Sequence, residues 1–334
     1  MNNTPQNTAP KRVLVTGGSG FIGSHLVELL LTRGDHVTVI DNLSTGHRTN
    51  LPAQHDRLRF IEASVADALP KFKSDESFDE IYHLAAAVGV RLIVSDPIGS
   101  IENNIAETSL LLRFAQDRKQ TPRVLIASSS EVYGKSAHSP FREDDDVLYG
   151  PTTVFRWSYA ASKAIDEYLA LAYFAQRNLP ATVTRFFNTV GPRQVGEYGM
   201  VLPRFVGSAL ANKPLEVHGT GKQSRCFCDV RDVVPALPKL LSSTITPGQV
   251  YNIGSDSPIT IAELADTVIR VLGSSSPIQM VDYATAFNAP KGGFEDLQQR
   301  RPDLTKVRAA IGFAPSIPLE KTIKDIAEIM NRRA

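Results

Sequence analysis

Cysteine is nearly absent, with two residues, Cys226 and Cys228, in a chain of 334. That excludes a disulfide framework. Two apart along a strand, the pair would share one face without reaching each other well, so both are expected to be small buried hydrophobes. A metal site would need further ligands beside them, and none is expected. Neither sign of charge prevails: 36 Lys and Arg stand against 35 Asp and Glu, a net charge of +1. A nucleic-acid partner is therefore not expected, since such proteins show a basic excess or stripe. A small anionic ligand stays open, because it needs only a few local charges. No apolar run approaches the ~18 residues of a membrane span, so no membrane partner is expected either. Residues 1–10 are polar, carry no signal pattern and are expected to fray. A reducing cytoplasm is the expected compartment.

What is present is ordinary globular composition, 42% hydrophobic and 21% charged, with no internal repeat or low-complexity segment. The length suggests two domains at roughly 150 residues each. Short apolar runs at 13–16, 37–40, 79–83 and 124–127 read as strands. Phe21–Arg33 reads as a helix with Ile22, Leu26, Leu29 and Leu30 at helical spacing, and 98–116 as a long one. Continuous apolar strands separated by helices predict an α/β fold, a doubly wound parallel sheet of Rossmann type. Residues 181–185 read as a further strand of that sheet. Beyond them, Gly- and Pro-punctuated pieces with helices near 202–211, 261–272 and 319–330 predict a smaller α/β lobe. The expected division is 1–185 and 186–334, with about 227–255 interleaved into the first domain. The stretch 291–301 reads as a polar loop.

The first strand runs into Gly17-Gly18-Ser19-Gly20-Phe21-Ile22-Gly23. Gly17 suits the tight turn, Gly20 lets the backbone approach a pyrophosphate, and Gly23 lets the helix pack close to the sheet. The N–H groups opening that helix then face the phosphates. Asp41 ends the second strand, 18 residues after Gly23, where an acid can bind the adenosine ribose hydroxyls. A carboxylate there repels a 2′-phosphate, and Asn42 rather than Arg follows it, so NAD is favoured over NADP. Ser64-Val65 and Leu84-Ala85-Ala86 lie at the ends of later strands, where this fold walls its adenine and ribose pockets.

Tyr159 and Lys163, four apart in a helical stretch, share one face. An ammonium beside the phenol, with a positive nicotinamide ring, favours the phenolate. The pair can then take a hydroxyl proton while hydride leaves the carbon. The pattern gains its weight from following a Gly-rich cofactor site. Ser129, after the strand at 124–127, can hold the reacting oxygen near Tyr159. Glu131 is an acid at the mouth of the same cleft.

These motifs resemble the extended short-chain dehydrogenase/reductases, the NAD-dependent nucleotide-sugar epimerases and dehydratases. The resemblance rests on Gly17-x-x-Gly20-x-x-Gly23, Ser129 and Tyr159-x-x-x-Lys163, and extends over Arg185–Arg193, Gly219–Arg225, Asp229–Asp232 and Tyr251–Gly254. It implies that Asn188 and Arg225 hold the substrate's diphosphate and nucleotide, with Ser130, Arg193 and Arg300 also on the substrate. It places Asn104 near the nicotinamide. Ser64 stands where such chains usually carry an adenine-binding Asp. It further implies a homodimer paired through two helices of each subunit, near 98–116 and 158–177.

Within this family the first step is oxidation of a sugar carbon by bound NAD. Dehydratases use a Glu at the position of Glu131 to remove the C5 proton, many with an Asp before it, where this chain has Ser130. In 4-epimerases the position is usually neutral. Ser130-Glu131-Val132-Tyr133-Gly134, Arg225–Asp232 and an Arg in a segment like Arg300-Arg301-Pro302-Asp303 look most like UDP-glucuronate decarboxylases. Arg300 would then steer the carboxylate or donate a proton, and the product would be a UDP-pentose or its 4-keto form. The segments 86–91 and 194–199 depart from the decarboxylase pattern. UDP-sugar 4-epimerisation, on UDP-glucose or UDP-glucuronate, follows as the alternative, then 4,6-dehydration. A non-catalytic NAD-binding protein is the remaining class, and such proteins generally lose the Tyr or the Lys.

Overall fold

The computed structural model describes residues 9–86, 96–136, 138–196, 200–282 and 297–333. Residues 1–8, 87–91 of the departing loop, 197–199 and 291–296 of the expected polar loop lie outside them.

The central sheet has seven strands: β1 (Arg12–Thr16), β2 (His36–Asp41), β3 (Leu58–Glu62), β4 (Glu80–His83), β5 (Arg123–Ser129), β6 (Ala181–Phe186) and, from far along the chain, β11 (Val250–Ile253). All pairings are parallel, in the order β11-β6-β5-β4-β1-β2-β3. The strand order reverses between β1 and β4, which opens a crevice beyond their carboxyl ends. Side chains alternate across the sheet. Val13, Val15, Val37, Val39 and Tyr82 enter one core, and Leu14, Ile40, Ile81, Val124 and Ile126 enter the other. Burial on both faces is why these strands read as unbroken apolar runs. β3 has no unbroken apolar run in the sequence, where only the placing of Ser64-Val65 at a strand end implied it. It is an edge strand, and its polar Arg59 and Glu62 interrupt the apolar pattern.

Helices cover both faces: α1 (Phe21–Arg33), the short α2 (Val65–Ala68), α3 (Pro97–Gln116) and α4 (Arg156–Arg177). Leu26 and Leu30 of α1 are fully buried, as their spacing predicts. α1 ends at Gly34, whose φ of 100° puts it in the left-handed region that glycine favours. α3 and α4 pack against each other.

The second half adds β7 (Thr189–Val190), α5 (Val201–Leu210), β8 (Leu215–His218), β9 (Ser224–Cys226) and β10 (Cys228–Asp229). The helices α6 (Val230–Val233) and α7 (Ala236–Ser242) lead into β11. Then come β12 (Pro258–Thr260), α8 (Ile261–Leu272), β13 (Ile278–Val281), β14 (Gln299–Arg300), α9 (Thr305–Ile311) and α10 (Leu319–Arg333). α5, α8 and α10 close their own apolar core around Phe205, Leu264 and Ile323. Three strands form a small sheet, β12-β9-β14. Its β14 corrects the reading of 291–301 as a loop throughout, because Gln299 and Arg300 pair with Ser224 and Arg225. The cysteines also differ from expectation in one respect. Cys226 ends β9 and Cys228 begins β10, so they share no strand. Both are free and buried, and burial pushes the Cys226 thiol up to about 12. No helix among the described residues is long and apolar enough to cross a membrane.

Candidate active site

A cavity of about 520 Å³ occupies the crevice at the carboxyl ends of β1, β2 and β4. Its wall includes Gly17, Gly20, Phe21, Ile22, Gly23, Asp41, Asn42, Ser64, Val65, Leu84, Ala85 and Ala86, together with Ser129, Tyr159 and Arg193. Two glycines of the turn and helix start after β1 leave no room for a side chain. Gly17 has φ 70°, and a Cβ there would lie 2.7 Å from the Ala85 nitrogen. A Cβ on Gly23 would meet the Gly17 oxygen at 2.1 Å. Asp41 accepts the Ser19 and Leu43 N–H groups, each at 2.8 Å, so its carboxylate is fixed at the edge of the phosphate turn. The buried Ser19 hydroxyl has no partner among the described residues. A glycine cradle, an oriented helix start, a fixed acid and a spare hydroxyl fit the pyrophosphate and ribose of NAD.

The reacting end is assembled from β5, the 3₁₀ turn Ser130–Tyr133 after it, and α4. The Ser129 hydroxyl accepts the Glu131 N–H at 3.2 Å and hydrogen-bonds the Tyr159 phenol. Burial, then the carboxylates of Glu131 and Asp166, push that phenol well above its usual range, and the Ser129 bond opposes them. The ammonium expected beside the phenol is itself engaged by a carboxylate. Lys163, four residues after Tyr159 on the same helix, is buried and donates to Asp166 at 2.7 Å. Asp166 is itself fully buried, with the Thr108 hydroxyl beside it. Thr108 also meets His83 Nε2 at 3.1 Å, and His83 Nδ1 meets Thr16 at 2.7 Å. Burial, then Lys163, lower His83 to about 3, so its ring is neutral.

Asn104 does not line the cavity, whereas its neighbour Asn103 does. The Asn104 amide instead donates to Ser162 at 3.3 Å, and Ser162 donates to the Tyr159 carbonyl at 2.9 Å. Asn104 thus ties α3 to the turn of α4 that carries Tyr159.

Glu131 stands between two arginines. Its Oε1 accepts from Arg300, and its Oε2 lies 3.2 Å from Arg156. Burial would raise this carboxyl, but Arg156 and Arg300, with Arg225 beyond, outweigh it and hold it near 2. Three distant segments deliver these cations. Arg156 opens α4, while Arg225 and Arg300 sit opposite each other across β9 and β14. Arg225 donates to the Ser224 and Leu297 carbonyls at 2.7 and 2.9 Å, which ties its side chain to the segment that leads into β14. Sequence reasoning missed Arg156. Its position three residues before Tyr159, on the same helical face, was the available signal.

Of the other expected substrate residues, Ser130 is buried in the 3₁₀ turn. The Asn188 amide nitrogen is buried without a partner among the described residues. Such a donor costs free energy unless a ligand accepts from it. Arg193 lies nearer the phosphate turn, paired with Glu28 of α1 at 2.8 Å.

Comparison with known proteins agrees with this architecture. The NAD dependent epimerase/dehydratase family model matches residues 13–254. A UDP-N-acetyl-alpha-D-glucosaminuronate decarboxylase of Bacillus cytotoxicus is 40% identical over 316 residues, covering 94% of this chain and 96% of that one. UDP-glucuronic acid decarboxylase 1 of Danio rerio is 33% identical over 324 residues, covering 96% of this chain and 73% of that one. The structure of a UDP-glucuronic acid 4-epimerase from Bacillus cereus, bound to UDP-glucuronic acid and NAD, superposes with a TM-score of 0.85 at 25% identity, covering 97% of this chain and 100% of that one. The chain belongs to the NAD dependent epimerase/dehydratase family.

Proposed function

We propose that the chain decarboxylates a UDP-linked hexuronate, UDP-glucuronate or its 2-acetamido counterpart, through a 4-keto sugar. The observation that carries this reading is the pair of buried arginines, Arg156 and Arg300, closing on Glu131 beside Tyr159. They form a carboxylate-binding position next to the group that takes the sugar's hydroxyl proton. An incoming uronate carboxylate competes for the same guanidinium groups, whose planar forks suit it.

Tyr159, hydrogen-bonded to Ser129, would act as the phenolate, a form that the positive ring of bound NAD favours against the burial that raises the phenol, and would take the proton of the sugar's C4 hydroxyl as hydride leaves C4. Bound NAD supplies the hydride acceptor and a positively charged ring. The resulting ketone lies β to the carboxylate. The C5–carboxyl bond breaks, CO2 leaves, and the electron pair moves into an enolate at C4. The Ser129 hydroxyl and the Tyr159 phenol stabilise that oxygen by hydrogen bonds. A proton then adds to C5, and return of hydride to C4 together with the Tyr159 proton to the C4 oxygen would give the UDP-pentose. Glu131 held near 2 is a weak base, which counts against removal of a C5 proton and so against 4,6-dehydration. The Bacillus cereus epimerase is the support for 4-epimerisation as the second reading.

The deciding experiment incubates the purified chain and NAD with UDP-glucuronate, its 2-acetamido counterpart, UDP-glucose and dTDP-glucose, read by mass. Loss of carbon dioxide from either uronate supports the proposal. Unchanged mass with inverted C4 supports epimerisation, and loss of water from dTDP-glucose supports dehydration.

The chain also pairs, on this reading, through α3 and α4, where Leu110, Ile165 and Tyr168 are exposed. Light scattering should give twice the chain mass, and Ile165→Glu should reduce it to one.

A further inference from the structure

The adenine end of the cofactor cavity lies beyond Asp41, where β3 runs into α2. Three backbone positions, Ala63, Ser64 and Val65, wall it there. The Ser64 hydroxyl is engaged locally: it caps α2 by accepting the Asp67 N–H at 3.1 Å and donates to the Asp67 carboxylate at 2.7 Å. A different carboxylate enters from across the crevice. Glu107, on α3, lines the cavity, and its Oε1 accepts the Val65 N–H at 3.2 Å. No other hydrogen-bond donor among the described residues reaches it. Partial burial raises its pKa, the Val65 N–H opposes that, and Asp67 adds to it.

We infer that Glu107 reads the adenine of the cofactor, its carboxylate accepting from the exocyclic 6-amino group. Adenine presents an N–H donor at position 6, where hypoxanthine and guanine present a carbonyl acceptor. A carboxylate is acceptor-only, so it pairs with the first and repels the second. Its other bond, to Val65 N–H, fixes the carboxylate where the base edge arrives. Glu107 thus performs, from α3, a task that Ser64 cannot perform while it caps α2. Asp67, Asp41 and Asp96, the other acids nearby, are engaged by Ser64, by the backbone of the phosphate turn and by the Gly99 N–H that opens α3.

The test reads binding rather than turnover. The purified chain is dialysed to a constant ratio against equal concentrations of NAD and nicotinamide hypoxanthine dinucleotide, and the retained dinucleotides are weighed by mass spectrometry. The wild-type chain should favour NAD by about tenfold or more, since a site built to accept from an N–H rejects the analogue lacking it. Glu107→Gln, whose amide can donate as well as accept, should bring the ratio to within about threefold of one. A wild-type ratio near one overturns the assignment without recourse to any variant. So does a Glu107→Gln chain with the wild-type ratio and a lowered melting temperature, the signature of a residue that only tethers α2.

Discussion

Lys163 and Asp166 form a buried ion pair, Nζ to Oδ2 at 2.7 Å, one helical turn below the reactive Tyr159. Neither side chain is more than 2% exposed. The lysine that the motif reading assigns to the tyrosine is thus also half of a structural pair. Removing only one partner leaves a lone charge in the core. Asp166→Ala should therefore cost about 3–5 kcal/mol of unfolding free energy, measured by urea denaturation. Lys163→Met combined with Asp166→Leu should recover most of that loss while abolishing activity.

Tyr159→Phe should lower turnover by about 10²-fold or more and leave NAD bound, because only the phenolic proton acceptor is lost. Binding and single-turnover NADH absorbance measured on one sample separate the two effects. Normal turnover in the variant would remove Tyr159 as the base.

Glu131→Gln should block CO2 release far more than C4 oxidation, because the ionised carboxylate holds Arg156 and Arg300 in the places from which they orient the uronate carboxylate. NADH should then accumulate in a single turnover with UDP-glucuronate while labelled CO2 is retained. Equal loss of both signals would assign Glu131 to the first step or to the fold.

The same carboxylate predicts a pH dependence of stability. Its folded pKa of about 2 lies below the ordinary 4.5, so its stabilisation is complete above about 4.5 and is lost as pH falls toward 2. At neutral pH the shift corresponds to about 3 kcal/mol, at roughly 1.4 kcal/mol per unit. The stability difference between wild type and Glu131→Gln, followed by denaturation from about pH 6 downward, should shrink over that window. A constant difference would show that the arginines do not act on Glu131.

Arg156→Met should weaken uronates selectively. The Michaelis constant for UDP-glucuronate should rise by about tenfold, the scale of one charge-assisted hydrogen bond, while any residual oxidation of UDP-glucose is unchanged. A parallel loss on both sugars would make Arg156 a scaffold residue.

Much of this site was legible because its chemistry is local in sequence. The strand, glycine turn and helix from β1 to α1 are contiguous, and Asp41 follows at the end of the next strand. Tyr159 and Lys163 face the same way because they are four apart on one helix. Glu131, flagged as an acid at the cleft, lies two residues after Ser129. Short-range pattern could not show how these groups are charged. The clamp on Glu131 joins residues 169 apart, and the contact of Glu107 with Val65 joins residues 42 apart. Lys163 read as the partner of Tyr159, yet its bonded partner is Asp166, a residue that on sequence alone passes for a solvated acid.

Hydrophobic periodicity and the order of strands and helices determined a doubly wound sheet by themselves. Once apolar runs must be buried on both faces, few arrangements remain. The glycine spacing determined a dinucleotide site for the same reason, since backbone reach there tolerates no Cβ. Tertiary structure alone decided the electrostatics. Bringing β14 beside β9 sets Arg300 opposite Arg225, and together with Arg156 they keep a partly buried carboxylate ionised. Charges in a low-dielectric cleft act over a few ångströms of space, irrespective of separation along the chain.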